Sequence, residues 1–291
     1  MKKVAIVGIG RLGGALALAL SRKEYDVAYL VHRSQEIAER VASRMSSRPI
    51  LFGETARLGE YDPEIVIITT ADPEIGLVAD QLVTILKGQP TVLHTSGSLS
   101  SKILSGLADI GCSIGSIHPL LSVSSYAIGD DAFKGAYFCV EGDAIGHAVG
   151  VEIAEVLGGI PFVVDSEMKS LYHAAAVMAC GHVTALIDVA NKMLGKCGIK
   201  GQDTNKIFIP LIESTIENIK KHGTAAAITG SFARADASAV SRHISAIKSE
   251  MDSEILEIYR LLGEMSLRIA ESNGVDPERS MKVRETIQDR S

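Results

Sequence analysis

KKVAIVGIGRLGGALALALS, residues 2 to 21, passes without a linker from a short apolar run into a glycine-rich turn and then into a helix of small residues. The run KKVAIVG (2 to 8) has the length and β-branched content of a buried strand, and Leu12 to Ser21 has helical character. Between them Gly8-Ile9-Gly10-Arg11-Leu12-Gly13 spells GxGxxG. Each glycine has a physical role at that spacing. The first makes the tight turn, the second lets backbone approach a pyrophosphate, and the third lets helix and strand pack closely. The helix start adds unpaired N–H groups that favour an anion. Gly8, Gly10, Arg11, Leu12 and Gly13 are therefore candidate dinucleotide contacts; the rival reading is a merely structural turn.

The rhythm continues outward from this unit. Further strand-like runs stand at 26–31 (DVAYLV), 64–70 (EIVIITT), 91–95 (TVLHT), 113–119 (SIGSIHP), 136–142 (AYFCVEG) and 160–165 (IPFVVD), the earlier ones separated by amphipathic stretches. Strands that alternate with helices imply βαβ units, and continuous apolar runs imply a parallel sheet covered on both faces. The predicted fold is a doubly wound, mostly parallel α/β domain over 1–165, followed by an all-α domain over 166–291 that packs directly on it across a cleft. In the second half Asp203, Asp236 and Asp276-Pro277 are placed to open helices, and Pro210 predicts a kink or break. Gly223 is a natural stop, and Ile255, Ile258, Leu262, Met265 and Ile269 form an apolar stripe.

In such a fold ligands bind at the carboxyl ends of the strands. After the second strand an acidic residue ordinarily meets the ribose of NAD; here the sequence reads Val31-His32-Arg33-Ser34. Arg33 offers a planar cation for a 2′-phosphate, so NADP(H) is preferred over NAD(H), with His32, Arg33 and Ser34 as candidate contacts. Alternatively Arg33 is only solvated and Ser34 only caps the next helix. Thr69, Thr70, Ser96 and Gly97 follow later strands and are candidates to line the path to the nicotinamide, or else turn residues and caps.

Among 291 residues the chain carries 29 Lys and Arg against 35 Asp and Glu, a net charge of −6. That balance lacks the basic stripe a nucleic-acid partner demands. No apolar run is read as long enough to span a bilayer, and glycines and Arg11 interrupt the apolar N-terminus, so neither a membrane nor a secretory leader is expected. The four cysteines show neither CxxC nor zinc-finger spacing and read as buried thiols of a cytoplasmic protein. Small molecules are the expected partners.

Candidate chemistry gathers near the domain boundary. KSLYHAAAVMACGH (169 to 182) places Lys169 and His173 one turn apart on a helix otherwise built for close packing. Near a cleft wall, Lys169 can serve as acid or base for hydride transfer, with His173 orienting substrate or sharing the proton; the bland readings are a solvated lysine and a core histidine. His118-Pro119 ends a strand and is a third candidate. Thr229 and Arg234 lie in a polar stretch between helices, where Arg234 either clamps an anionic substrate or pairs with Asp236. The remaining histidines lack metal-ligand spacing, and no metal is expected. Small residues over 174–180 and surplus apolar stripes on the last two helices predict a homodimer through the helical domain.

The stretches GIGRLG, HTSGSLS, SIHPLLSVS, FKGAYFCVEGD, KSLYHAAAV, PLIESTIENI and ITGSFARAD resemble a family that joins a Rossmann-like domain to a helical domain of unknown function, number 2520. The wider resemblance is to 6-phosphogluconate dehydrogenase-type oxidoreductases. It implies a Rossmann fold, a nicotinamide cofactor and a cleft; the GxGxxG, the His32-Arg33 pair and the Lys169/His173 spacing make the main reading an NADP-dependent reductase or dehydrogenase of a small oxo, hydroxy or imino compound, expected to be anionic. In the hydroxyacid dehydrogenases of that superfamily an Asn follows the interdomain lysine by one turn; here His173 stands there, and Gly181 replaces an Asn expected in nearer relatives. His118-Pro119 resembles a His-Pro pair of prephenate dehydrogenases. Two rivals follow: a prephenate-like dehydrogenase, and a non-catalytic NADP(H)-responsive regulator that retained the fold.

Overall fold

The computed structural model describes residues 1–46, 48–125, 131–199 and 203–289, arranged in two compact units, Met1–Cys180 and Gly181–Ser291. The first contains β1 (Lys2–Val7), α1 (Arg11–Leu20), β2 (Tyr25–Val31), α2 (Gln35–Ala42), β3 (Ile50–Phe52), β4 (Ile65–Ile68), α3 (Asp72–Ile85), β5 (Thr91–His94), α4 (Ser105–Asp109), β6 (Ser113–Pro119), β7 (Tyr137–Gly142), α5 (Ala144–Val156), β8 (Ile160–Phe162) and α6 (Lys169–Ala179). The second contains α7 (Gly181–Lys196), α8 (Asp203–Ala227), α9 (Gly230–Ala233), α10 (Ala237–Glu250), α11 (Ser253–Ser272) and α12 (Pro277–Gln288).

One sheet of eight strands runs in the order β3-β2-β1-β4-β5-β6-β7-β8. Every neighbouring pair is parallel except β6 with β7. The strand order reverses between β1 and β4, the switch point at which doubly wound sheets open a crevice. Period-two alternation sorts the strands' apolar residues between two cores. Val4 and Ile6 pack with α1 and α5 on one face, while Ala5 and Val7 pack with α3 and α4 on the other. Seven strands stand where the sequence pattern puts them; β3, three residues at the sheet edge, is too short to carry a pattern.

The strand signal ends at Asp165, yet the first unit continues to Cys180. α6 packs on the sheet through Lys169, its one buried residue, and through Tyr172 and His173 against His118 and Phe162. Helical geometry then fails at Cys180 (φ −123°, ψ −72°), separating α6 from α7. Contrary to the reading that no segment is apolar and long enough, Ser166–Lys196 meets the length and composition of a membrane span, although that break divides it.

In the second unit Asp236 and Asp276 accept from the amides of Ala239 and Glu278 at 2.9 and 3.0 Å, which fixes the starts of α10 and α12. Two expectations change. Pro210 does not break α8, which leaves helical geometry instead at Gly223 (φ 76°, ψ 168°). The core face of α11 is Leu256, Arg260, Gly263, Leu267 and Ala270. The predicted stripe points elsewhere, with Ile258, Leu262 and Met265 exposed and Ile255 and Ile269 partly buried. Cys112 and Cys139 are buried as expected, but Cys180 and Cys197 are exposed.

Candidate active site

Sheet register assembles the site. Val7 pairs with Ile68, Ile68 with His94, and His94 with Ser116, so the residues leaving β1, β4, β5 and β6 lie along one edge. Gly8, Thr69, Ser96 and His118 are brought together from separations of tens of residues.

The glycine turn shows three distinct environments. Gly8 has φ 98°, and a Cβ there would stand 2.8 Å from the Thr70 amide nitrogen. A Cβ on Gly13 would lie 2.2 Å from both the Gly8 carbonyl oxygen and Thr69 Oγ1, because α1 starts hard against the turn. Around a Cβ on Gly10 no described residue stands within 4 Å. Gly8 and Gly13 therefore serve the turn and the packing, while Gly10 faces open space. Gly14 N donates to Gly10 O at 2.9 Å, leaving the preceding amides of the first helical turn without intrahelical acceptors. Leu12 packs on the core and Arg11 is exposed, so what Leu12 can offer a phosphate is its backbone amide.

A cleft of about 680 Å³ opens here, lined in part by Gly8, Gly10, His32, Arg33, Thr70 and Glu74. Thr70 Oγ1 is buried in it without a hydrogen-bond partner, and Thr69 Oγ1 donates to the Gly8 carbonyl. An open glycine, free helix-start amides and an orphaned hydroxyl fit the phosphates of a dinucleotide. Arg33 lies on the lip, its guanidinium 3.0 Å from Glu74 Oε1. Ser34 acts locally instead. Its hydroxyl accepts from Ile37 N at 3.4 Å and caps α2, while its amide donates to His32 Nδ1 at 2.9 Å. The capping reading holds for the Ser34 side chain.

Further along the edge stand Gly97, His118, Tyr172 and His173. A Cβ on Gly97 would be 2.5 Å from His173 Nδ1 and 2.9 Å from both His118 Cε1 and Nε2, so only glycine lets the two rings close on this loop. The rings meet edge to face with centroids 5.6 Å apart. His173 Nδ1 is buried with no partner, unlike the satisfied core histidine of the bland reading. His118 Nδ1 and the Tyr172 hydroxyl are 2.7 Å apart. Burial, helped by neighbouring His173 and Lys169, lowers the His118 pKa to about 4, and burial raises the Tyr172 phenol above its ordinary range. Ser96 organises the loop: its hydroxyl donates to Asp72 Oδ2 at 2.9 Å and accepts from the amides of Ser98 and Leu99 at 3.1 and 3.0 Å.

Lys169 stands beneath this site, not on a cleft wall. It is 0% exposed, and Nζ donates to Ser96 O at 3.1 Å and to Ser116 Oγ, with Glu141 Oε1 at 3.5 Å. Glu141 in turn accepts from Ser101 N and Ser101 Oγ, both at 2.7 Å. Burial lowers the Lys169 pKa against the opposing pull of Glu141. A sealed, fully partnered ammonium cannot meet substrate, so the expected acid–base role is corrected to a clamp. It ties together the strand ends that carry Gly97 and His118.

Sequence reasoning missed Glu141, Ser116 and the contact of Tyr172 with His118. Glu141 had a legible signal, since a carboxylate inside the apolar strand YFCVEG requires a buried partner. Thr229 and Arg234 belong to the second unit, flanking α9; Asp236 caps α10 there and does not pair with Arg234. Among the described residues no cluster of three or more His, Cys, Asp or Glu is arranged to hold a metal.

Comparison with known proteins agrees with this architecture. Residues 1–119 match a Rossmann-like domain, and residues 136–266 match the Domain of unknown function (DUF2520). Protein TM1727 from Thermotoga maritima is 27% identical, with a TM-score of 0.73 over 93% of this chain and 99% of that one. BF3122 from Bacteroides fragilis, provisionally assigned as an NADP oxidoreductase, is 22% identical, with a TM-score of 0.75 over 92% and 98%. Pyrroline carboxylate reductase from Plasmodium falciparum, solved with NADP bound, is 12% identical, with a TM-score of 0.61 over 99% and 98%. No curated protein matches the chain. With both matches in their expected order on an eight-stranded sheet, the chain joins a Rossmann-like domain to a DUF2520 domain.

Proposed function

We propose that the chain is a nicotinamide-dependent oxidoreductase, preferring NADP(H) over NAD(H), that acts on a small anionic oxo, hydroxy or imino compound. One observation carries this reading: the glycine turn after β1 and the His118–His173 pair lie on the same sheet edge, with the ends of β4 and β5 between them. The provisional assignment of BF3122 and the NADP in the pyrroline carboxylate reductase structure support the choice of cofactor.

When bound, the dinucleotide supplies or accepts a hydride. The chain's own residues do the rest. Gly10 and the first amides of α1 would hold the pyrophosphate, and Thr70 Oγ1 would take a partner there. Arg33, paired with Glu74 in this structure, would serve a 2′-phosphate. His118 faces the reacting group, His173 borders it across Gly97, and Lys169 holds both strand ends in place.

Calorimetric titration with NADPH and NADH tests the cofactor, with NADPH expected to bind about 10-fold more tightly and Arg33→Ala to erase the difference. Turnover follows on a panel of oxo acids and cyclic imines, with His118→Ala lowering kcat. Absence of binding by either dinucleotide at millimolar concentration refutes the proposal.

The same proposal includes a cytoplasmic homodimer. No described residue of α7 is buried, Ile207, Ile209 and Leu211 of α8 are 46–61% exposed, and Ile258 and Met265 of α11 are exposed as well. Such apolar helices gain most of their stability by burying a face, and a second copy offers the same faces in return. Sedimentation equilibrium is expected to give twice the 30.9 kDa chain mass, and a monomer at tens of micromolar overturns the dimer.

A further inference from the structure

We propose that Tyr172 is a positioning residue that locks His118 as its Nε2–H tautomer, so that the site offers an uncharged N–H donor matched to the carbonyl oxygen of an oxo substrate. This rests on the oxidoreductase reading above and selects among its three substrate classes.

The geometry begins with the 2.7 Å contact between Tyr172 Oη and His118 Nδ1. Two arrangements satisfy it: the phenol donates to a bare Nδ1, or an Nδ1–H donates to the phenol oxygen. A phenol is a strong donor and a poor acceptor, because its oxygen lone pair is shared with the ring, whereas an unprotonated imidazole nitrogen is a strong acceptor. The first arrangement is therefore the stable one, and it places the ring's only proton on Nε2. Nε2 is also the nitrogen turned to Gly97 and the site, 2.9 Å from where a Gly97 Cβ would stand.

Neighbouring groups keep the ring singly protonated. Burial acts first, the positive groups of His173 and Lys169 on α6 add to it, and Asp72 of α3 pulls the other way, while Cys139 is its register partner on β7. Tyr172 is itself held from both sides, with its ring edge to face against His118 at 5.7 Å and against Phe162 at 5.8 Å. Its hydroxyl cannot leave Nδ1 without disturbing that stack.

The tautomer selects the substrate. A carbonyl oxygen, which gains negative charge on reduction, is an acceptor for Nε2–H at every stage. An imine takes up hydride as its protonated iminium, whose N–H would meet the His118 N–H donor to donor. Hydride adds to the carbonyl carbon, the carbon–oxygen π bond breaks towards oxygen, and the alkoxide held by Nε2–H takes its proton from water; the oxo substrate fits, and the iminium does not.

The test begins with long-range nitrogen–proton correlation spectra of the uniformly 15N-labelled chain without ligand, which report the tautomer whether or not the protein is an enzyme. His118 is expected to show a bare Nδ1 and a protonated Nε2. Tyr172→Phe, which keeps the ring stack, is expected to convert this to a mixture. Kinetically, Tyr172→Phe is expected to lower kcat by about 10- to 100-fold with little change in KM. A wild-type His118 protonated on Nδ1, or a His118 unaffected by Tyr172→Phe, overturns the assignment. Faster turnover of cyclic imines than of oxo acids overturns the choice of substrate. Failure of the oxidoreductase reading would show separately, as loss of dinucleotide binding.

Discussion

Replacing Lys169 should test the buried clamp more sharply than any other change. The ammonium is wholly enclosed, bonded to Ser96 O and Ser116 Oγ and paired with Glu141, whose carboxylate is itself buried and keeps only the two Ser101 donors if the lysine is lost. Lys169→Met conserves length and removes the charge, leaving an unpaired carboxylate and two acceptors without their donor. Breaking one side of a buried pair in this way costs about 3–5 kcal/mol. A solvated first-turn lysine would cost a few tenths. Glu141→Gln should also destabilise, by leaving the ammonium less compensated. The double variant should recover most of the loss, because burial already outweighs the carboxylate's pull on Lys169. The expected coupling is about 2–3 kcal/mol. Urea unfolding followed by far-ultraviolet circular dichroism measures all four corners of the cycle, with m-values checked for constancy. A Lys169→Met cost below about 1 kcal/mol, or additive single losses, would refute the clamp.

Gly10→Ala should leave the melting temperature within about 2 °C of wild type, since its Cβ meets nothing within 4 Å, yet weaken dinucleotide binding by about 10-fold or more by filling the phosphate approach. Gly97→Ala should instead preserve dinucleotide affinity and abolish turnover, because its methyl group forces apart His118 and His173; retained turnover would exclude those rings from the site. Acid sensitivity follows from two buried imidazoles. His94 and His118 both have folded pKa values of about 4, below the 6.5 of the unfolded chain, so the unfolded state binds more protons between those values. The stability they contribute is complete above about pH 6.5 and is lost as pH falls towards 4, by up to about 3 kcal/mol for each ring. His94→Gln should flatten part of that slope in urea titrations at successive pH values.

Local chemistry makes much of the molecule legible in its sequence. GxGxxG between a strand and a helix is legible because the turn needs its glycines within six residues, even though Thr69 and Thr70 close on them from afar, and the apolar periodicities of the strands follow from burial on both faces. Helix starts at Asp236 and Asp276 are equally local, since a cap needs only the next three amides. Where a property depends on what lies across space, sequence is silent or misleading. Lys169 reads the same whether it points into water or under a sheet; only the register that brings Ser96, Ser116 and Glu141 beneath α6 decides that it is a clamp. The α11 stripe is apolar as its residues suggest, but which face of the helix meets the core depends on the neighbouring helices. Tyr172 and His118 are 54 positions apart, and no spacing rule links them. Their meeting follows from strand order and the seating of α6, because hydrogen bonds between distant side chains arise from the fold that delivers them.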